Sequence, residues 1–243
     1  MDFRTIQAVE LAGGVGILTL NRPERRNALS VEMRREIMTC MGKWRESPTV
    51  GVMIITGAGE AFTAGFDLTE FSRPELYSEI FETSSAYHRE LWNFPKPTIA
   101  AVNGPALAGG FDLAKLCDIR ICSPKAVFGH PEIKFGIPPL MTPLRWIIGE
   151  GPARHLCLTG KRVDAMEAFR IGLVSEVVDA EKLLERAVKI ATEILETPLE
   201  ALKRTKQLMI GVSGLGFEES FCMEHDRIFQ EYLLKKASES AKK

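Results

Sequence analysis

Ile99-Ala100-Ala101-Val102-Asn103-Gly104-Pro105-Ala106-Leu107-Ala108-Gly109-Gly110-Phe111-Asp112 carries an apolar strand into a glycine turn and on into the first turn of a helix. The helix continues with Leu113, Leu116 and Cys117 on one face, and a second acid follows in His130-Pro131-Glu132. A strand that feeds a helix through glycines is the unit from which α/β folds are built. Backbone N–H groups at Gly109 and Gly110 stand free at the positive end of the helix, where an oxyanion or phosphate sits well. The same glycines have a plainer use in a tight turn and close helix packing. Asp112 can be an ordinary helix N-terminal acid or one of a catalytic pair. Glu132 follows Val127-Phe128-Gly129-His130, a stretch that reads as buried, and a buried acid needs a partner or a task.

Working outward, residues 3–11 and 15–20 read as a hairpin around Gly13-Gly14. Ser30 reads as the N-cap of an amphipathic helix over 31–45, with Met33, Ile37, Met41 and Trp44 at helical spacing. A buried strand over 50–56, a helix over 75–93 and the strand over 98–102 complete an alternation of strand and helix. Short strands at 118–122 and 126–129 follow, then helix from Pro138 to Gly160 with breaks at Gly149 and Gly151. Helical periods over 180–196, 198–210 and 216 to about 238 end the chain. The whole divides into an α/β core, residues 1–190, and a helical region, 191–243, whose apolar faces call for a second subunit.

Composition limits the function. Thirty-one basic residues nearly balance 32 acidic ones, so no overall field draws the protein to nucleic acid or to an anionic membrane. No apolar run nears the roughly 18 residues that span a bilayer, and Met1-Asp2-Phe3-Arg4 opens no secretory signal. Five scattered cysteines with no CxxC pair read as reduced thiols, which points to the cytoplasm.

Other candidate groups are few. Ala64-Gly65-Phe66-Asp67 is a second glycine turn after a buried strand, so its amide and that of Gly109 could converge as an oxyanion hole. Arg22, Arg25 and Arg26 precede Asn27-Ala28-Leu29 and can hold a phosphate or form a solvated basic loop. His130 can be a general base or a packing residue. His88, His155 and His225 have no second ligand at metal spacing, so no metal is expected. No GxSxG, Walker or dinucleotide motif occurs.

Taken together these motifs resemble the crotonase (enoyl-CoA hydratase/isomerase) superfamily over essentially the whole chain. The resemblance rests on Asn21-Arg22-Pro23, Asn27-Ala28-Leu29, Ala61 to Leu68, Lys96 to Gly104, Gly109-Gly110 before Asp112, Pro131-Glu132-Ile133 with Gly136, Leu158-Thr159-Gly160 and Ala168 to Val174. It implies a spiral of ββα turns with a C-terminal helical region, assembled as a homotrimer or a dimer of trimers. The substrate it implies is an acyl-CoA thioester, with no permanently bound cofactor. By the same resemblance the Phe66 and Gly109 amides form the oxyanion hole and Asp112 and Glu132 are the catalytic acids. Arg25, Arg26, Asn27, Ala28, Leu29, Ala64, Gly65, Phe66, Asp67, Leu68, Gly110 and Leu140 then line the CoA and acyl surface. The implied activity is hydration of a 2-enoyl-CoA. A double-bond isomerase and a non-catalytic acyl-CoA-binding protein are the alternatives, since aspartate at 112 is one methylene shorter than the usual hydratase glutamate. Isomerases with this Asp–Glu pair carry a further aspartate where this chain has Leu140, and Pro138 to Pro143 replaces a glycine-rich turn.

Overall fold

The computed structural model describes residues 2–234, in two compact units that divide between Thr197 and Pro198. In the first unit, β1 (Ile6–Leu11) and β2 (Val15–Leu20) form the antiparallel hairpin, with Gly13 and Gly14 both at positive φ. Ser30 caps α1 (Val31–Glu46) by accepting from the Met33 amide, a contact whose loss typically costs about 1 kcal/mol.

One pattern then repeats. β3 (Val52–Gly57) enters a six-stranded sheet, Thr63 bridges to Ala106 of a smaller sheet, and α2 (Tyr77–Trp92) follows. β4 (Thr98–Val102) enters the large sheet, β5 (Ala106–Leu107) the small one, and α3 (Gly109–Leu116) follows. β6 (Ile119–Cys122) and β7 (Val127–Gly129) repeat the step before α4 (Leu144–Ile148) and α5 (Glu150–Thr159). β8 (Val163–Asp164), α6 (Ala165–Arg170) and β9 (Glu176–Val177) complete sheets of order β1-β2-β3-β4-β6-β9 and β5-β7-β8. From β2 onward the large sheet is parallel. This is the spiral of ββα turns expected above.

The parallel strands are apolar on both faces because both faces are covered. In β4, Ala100 and Val102 point into the main core with Leu18, Met53, Ile55 and Phe111. Ile99 and Ala101 point the other way, with Ile54 and Ile121, against Leu183, Ala187 and Ile190 of α7 (Leu183–Leu195). Gly149 breaks the chain between α4 and α5 at φ 80°, but Gly151 does not: it lies in the first turn of α5, where a glycine is easily carried.

The second unit contains α8 (Leu199–Gly211) and α9 (Phe217–Phe221), the latter continuing into wider helical turns over Cys222–Asp226 and Phe229–Leu234. The end of the helix expected to reach about 238 lies outside the described residues. Among the described residues no helix is long and apolar enough to cross a membrane.

Candidate active site

Two glycine turns bring the expected amide pair together. Ala108 sits at φ 51°, ψ −124°, donates to Gly129 O, and accepts from both the Phe111 and Asp112 amides. The Gly109 N–H is thereby left pointing out of the helix start. Gly65, at φ 94°, turns the neighbouring chain so that its carbonyl takes the Leu29 amide and Phe66 packs against Gly109. A Cβ built on Gly65 would lie 3.1 Å from Gly109 N, and one built on Gly109 would lie 3.6 Å from Phe66 N. Among the described residues neither amide donates to a protein acceptor. Gly110 must stay a glycine because a Cβ there would meet Thr63 O at 2.3 Å.

The Phe66 ring is held from two sides. The buried Arg34 guanidinium lies 4.7 Å over it, and His88 meets its edge at 6.1 Å. Arg34 itself donates to Leu29 O and Thr83 Oγ1. Burial pushes its pKa down from the usual arginine value, against the pull of Glu70.

Asp112 and Glu132 meet across one imidazole. His130 is wholly buried, its Nδ1 2.7 Å from Glu132 Oε1 and its Nε2 3.8 Å from Asp112 Oδ1. Lys115, one helical turn after Asp112 and also buried, places its ammonium 2.7 Å from Asp112 Oδ1 and 3.1 Å from His130 Nε2, and donates to Leu140 O. The contact with Asp112 is an ion pair outside hydrogen-bond angles, so Asp112 Oδ1 has no hydrogen-bond partner; nor has Glu132 Oε2. From α2, His88 Nε2 lies 4.0 Å from Asp112 Oδ2, and Tyr87 stacks edge-on against His88 with its hydroxyl buried and unpartnered. Burial holds the Tyr87 phenol well above its usual pKa and raises the Cys157 thiol on α5. The result is a largely buried cluster in which Asp112 is paired with the Lys115 ammonium, Glu132 is tied to His130 through Oε1, and Glu132 Oε2 has no hydrogen-bond partner.

His130 is therefore more than the packing residue its sequence position suggests. Its ring does pack on Phe111 at 4.8 Å, yet both nitrogens face site groups. Sequence reasoning missed Lys115 and set His88 aside. The legible signal for the first was a lysine three residues after an acid in an otherwise apolar helix, the spacing that stacks two side chains on one face.

Known proteins resemble this chain over most of its length. A model of the enoyl-CoA hydratase/isomerase family matches residues 10–239. The chain belongs to the enoyl-CoA hydratase/isomerase family. A Thermus thermophilus relative that carries an enoyl-CoA hydratase name is 37% identical, over 86% of this chain and 85% of its own length. The short-chain-enoyl-CoA hydratase of Clostridium acetobutylicum is 38% identical, over 82% of this chain and 78% of its own. The crystal structure of enoyl-CoA hydratase from Bacillus anthracis superposes with a TM-score of 0.88 at 31% identity, over 92% and 89% of the two chains.

As a member of the enoyl-CoA hydratase/isomerase family, the chain presents its remaining expected ligand surface in two ways. Arg25, Arg26 and Leu68 are exposed. Asn27 turns inward: its amide donates to Ala58 O and Ala61 O and its oxygen accepts the Arg22 amide, which locks the loop in the left-handed geometry of Arg26 and Asn27. Ala28 O accepts from Arg22 Nη1, and Leu29 is buried against Phe66. Asp67 is nearly buried; burial raises its pKa, but hydrogen bonds from Thr69 and Arg22 outweigh this and leave it below the usual value. Ala64 is exposed at the turn, where its amide donates to Arg26 O. Leu140 is exposed at the side chain while its carbonyl is tied to Lys115.

Proposed function

We propose that this family member is a 2-enoyl-CoA hydratase acting in the turnover of fatty acyl chains. The observation that carries the reading is the pair of amides, Phe66 and Gly109, that donate to no protein acceptor among the described residues, on the turns that lead into the helix of Asp112, with Glu132 keeping a buried oxygen free of hydrogen bonds and Asp112 held as an ion pair by Lys115. The thioester oxygen accepts from both amides. Asp112 orients water and takes its proton as the hydroxyl adds to Cβ, while the π electrons move to the thioester as an enolate. Glu132, through Oε2, helps hold that water and delivers the proton it carries to Cα; the proton left on Asp112 then passes back to Glu132 through solvent, so one water is consumed and no redox cofactor is needed. Each oxyanion donor stabilises the enolate by about 2.7–4 kcal/mol. Coenzyme A arrives with the substrate, across the Arg25–Leu29 loop and residues 64–68. The enzyme works in the cytoplasm, consistent with its five unpaired cysteines, as a homotrimer or a dimer of trimers.

Crotonyl-CoA incubated with the protein in ¹⁸O-water should yield labelled 3-hydroxyacyl-CoA, and Glu132→Gln should lower kcat about a hundredfold or more. Full activity in that variant, or migration of the double bond without ¹⁸O uptake, would replace hydration with another reading.

A further inference from the structure

Among the described residues Lys115 is the one cation buried among the acids of this site, and nothing in the hydration scheme above uses it. Its Nζ touches three groups at once: Asp112 Oδ1 at 2.7 Å, His130 Nε2 at 3.1 Å, and the carbonyl of Leu140. An ammonium donates and never accepts. The nitrogen it meets on His130 must therefore be the unprotonated one, and the ring proton must lie on Nδ1. That proton points at Glu132 Oε1, 2.7 Å away. One lysine so placed settles three things: which tautomer His130 adopts, which oxygen of Glu132 is taken, and which carboxylate has a counter-charge.

We propose that Lys115, acting through His130, is a positioning residue that makes the two acids unequal. It holds Asp112 as the carboxylate suited to take a proton and leaves Glu132 Oε2 as the oxygen that faces the reacting carbon. Like-charged acids in one buried pocket otherwise share their titration and are interchangeable. Here the cation sits against one of them, and a neutral imidazole with a fixed tautomer sits against the other. The roles given to the two acids rest on the hydratase reading; the tautomer does not. The titratable groups that face the cluster are His88 and Tyr87 from α2, Asp112 and Lys115 from α3, His130 and Glu132 after β7, and Cys157 from α5.

The chain has four histidines, so ¹⁵N-histidine labelling gives a readable spectrum in the absence of substrate. The other three signals are assigned by removal in His88→Gln, His155→Gln and His225→Gln. The expected wild-type result is a neutral His130 with its proton on Nδ1 and a bare Nε2. In Lys115→Met, which removes the charge while keeping side-chain length, Nε2 should become protonated. If the wild-type ring carries its proton on Nε2, the proposal fails whatever the variants do, and this arm needs no variant of Lys115 to fold. The second arm is the pH profile of kcat/KM on crotonyl-CoA. Without Lys115 the Asp112 carboxylate loses the counter-charge 2.7 Å away, so the acid limb should move up. At neutral pH kcat should fall about tenfold or more with little change in KM. Lys115→Gln keeps a donor for Nε2 but no charge; it should preserve the tautomer and still move the limb. A lysine that only braces residues 138–143 would lower the melting temperature and leave both tautomer and limb where they were, and that outcome would overturn the proposal. Absence of hydration by the wild type would sink the hydratase reading while the tautomer result stood unchanged.

Discussion

Ala108 holds a backbone conformation that an L side chain rarely adopts, φ 51° with ψ −124°, at the residue that aims the Gly109 amide. Strain of this kind costs about 1–3 kcal/mol and persists where surrounding contacts over-determine it. Here the Ala108 amide is tied to Gly129 O and its carbonyl to two amides of α3. Glycine would relieve the strain but adds unfolded-state freedom worth about 0.4–1 kcal/mol. Ala108→Gly should therefore stabilise the protein by about 1 kcal/mol, seen as a higher denaturant midpoint with an unchanged slope. A lower midpoint would mean that the methyl group's packing exceeds the strain. Single residues were legible from sequence where their chemistry is local. Asp112 and Glu132 stood out because acids beside glycine turns and apolar runs need a reason. Lys115 and His88 acquire meaning only when α2, α3 and the segment after β7 meet, and no spacing in the chain announces that meeting.

Elements were legible in proportion to their length. The 98–102 strand coincides with β4, and α1 starts at its Ser30 cap, because an apolar run between Pro97 and Asn103 and a capping serine are unambiguous local signals. The two-residue strands β5, β8 and β9 carry no period to read, and they exist only because the spiral lays them beside one another. The Pro95-Lys96-Pro97 segment joins these levels. Lys96 is buried beneath the end of α1, where its Nζ donates to Trp44 O at 2.5 Å, Ser47 O at 2.7 Å and Val50 O at 2.7 Å. A cation at a helix C-terminus satisfies carbonyls that the helix leaves bare, and this one also pins the start of β3 to the entry of β4. Lys96→Met keeps the apolar stem and strips the donors, leaving buried carbonyls unpaired at about 1–3 kcal/mol for each one that water cannot reach. The expected loss is about 2–4 kcal/mol by equilibrium unfolding, with crotonyl-CoA turnover at saturation little changed in the folded fraction. A loss below about 1 kcal/mol would show that water replaces the lysine.

At the scale of the whole molecule, the two units differ in how they hold themselves. Buried apolar residues run through the first unit as far as Ala191, and among the described residues the second unit contributes none. Its apolar side chains face outward instead: Met209, Leu215, Phe217, Phe221, Phe229, Leu233 and Leu234 are all exposed. Four rings spaced four residues apart stack along one face, Phe217 on Phe221 at 5.5 Å, Phe221 on His225 at 4.6 Å and His225 on Phe229 at 5.6 Å. Helices of this length are marginal without an apolar surface to cover them, and an exposed aromatic row of this size marks an interaction face. A second copy of the chain is the proposed occupant, in keeping with the assembly proposed above. Phe221→Asp with Phe229→Asp places two charges in the row without touching the site residues of the first unit. Light scattering after size exclusion should show the assembly shifted to a smaller species, with Lys115, His130 and the ¹⁵N signature of the site unchanged. An unaltered mass would mean that the row lies outside any contact between copies, because charges buried between copies could not be tolerated without loss of the assembly.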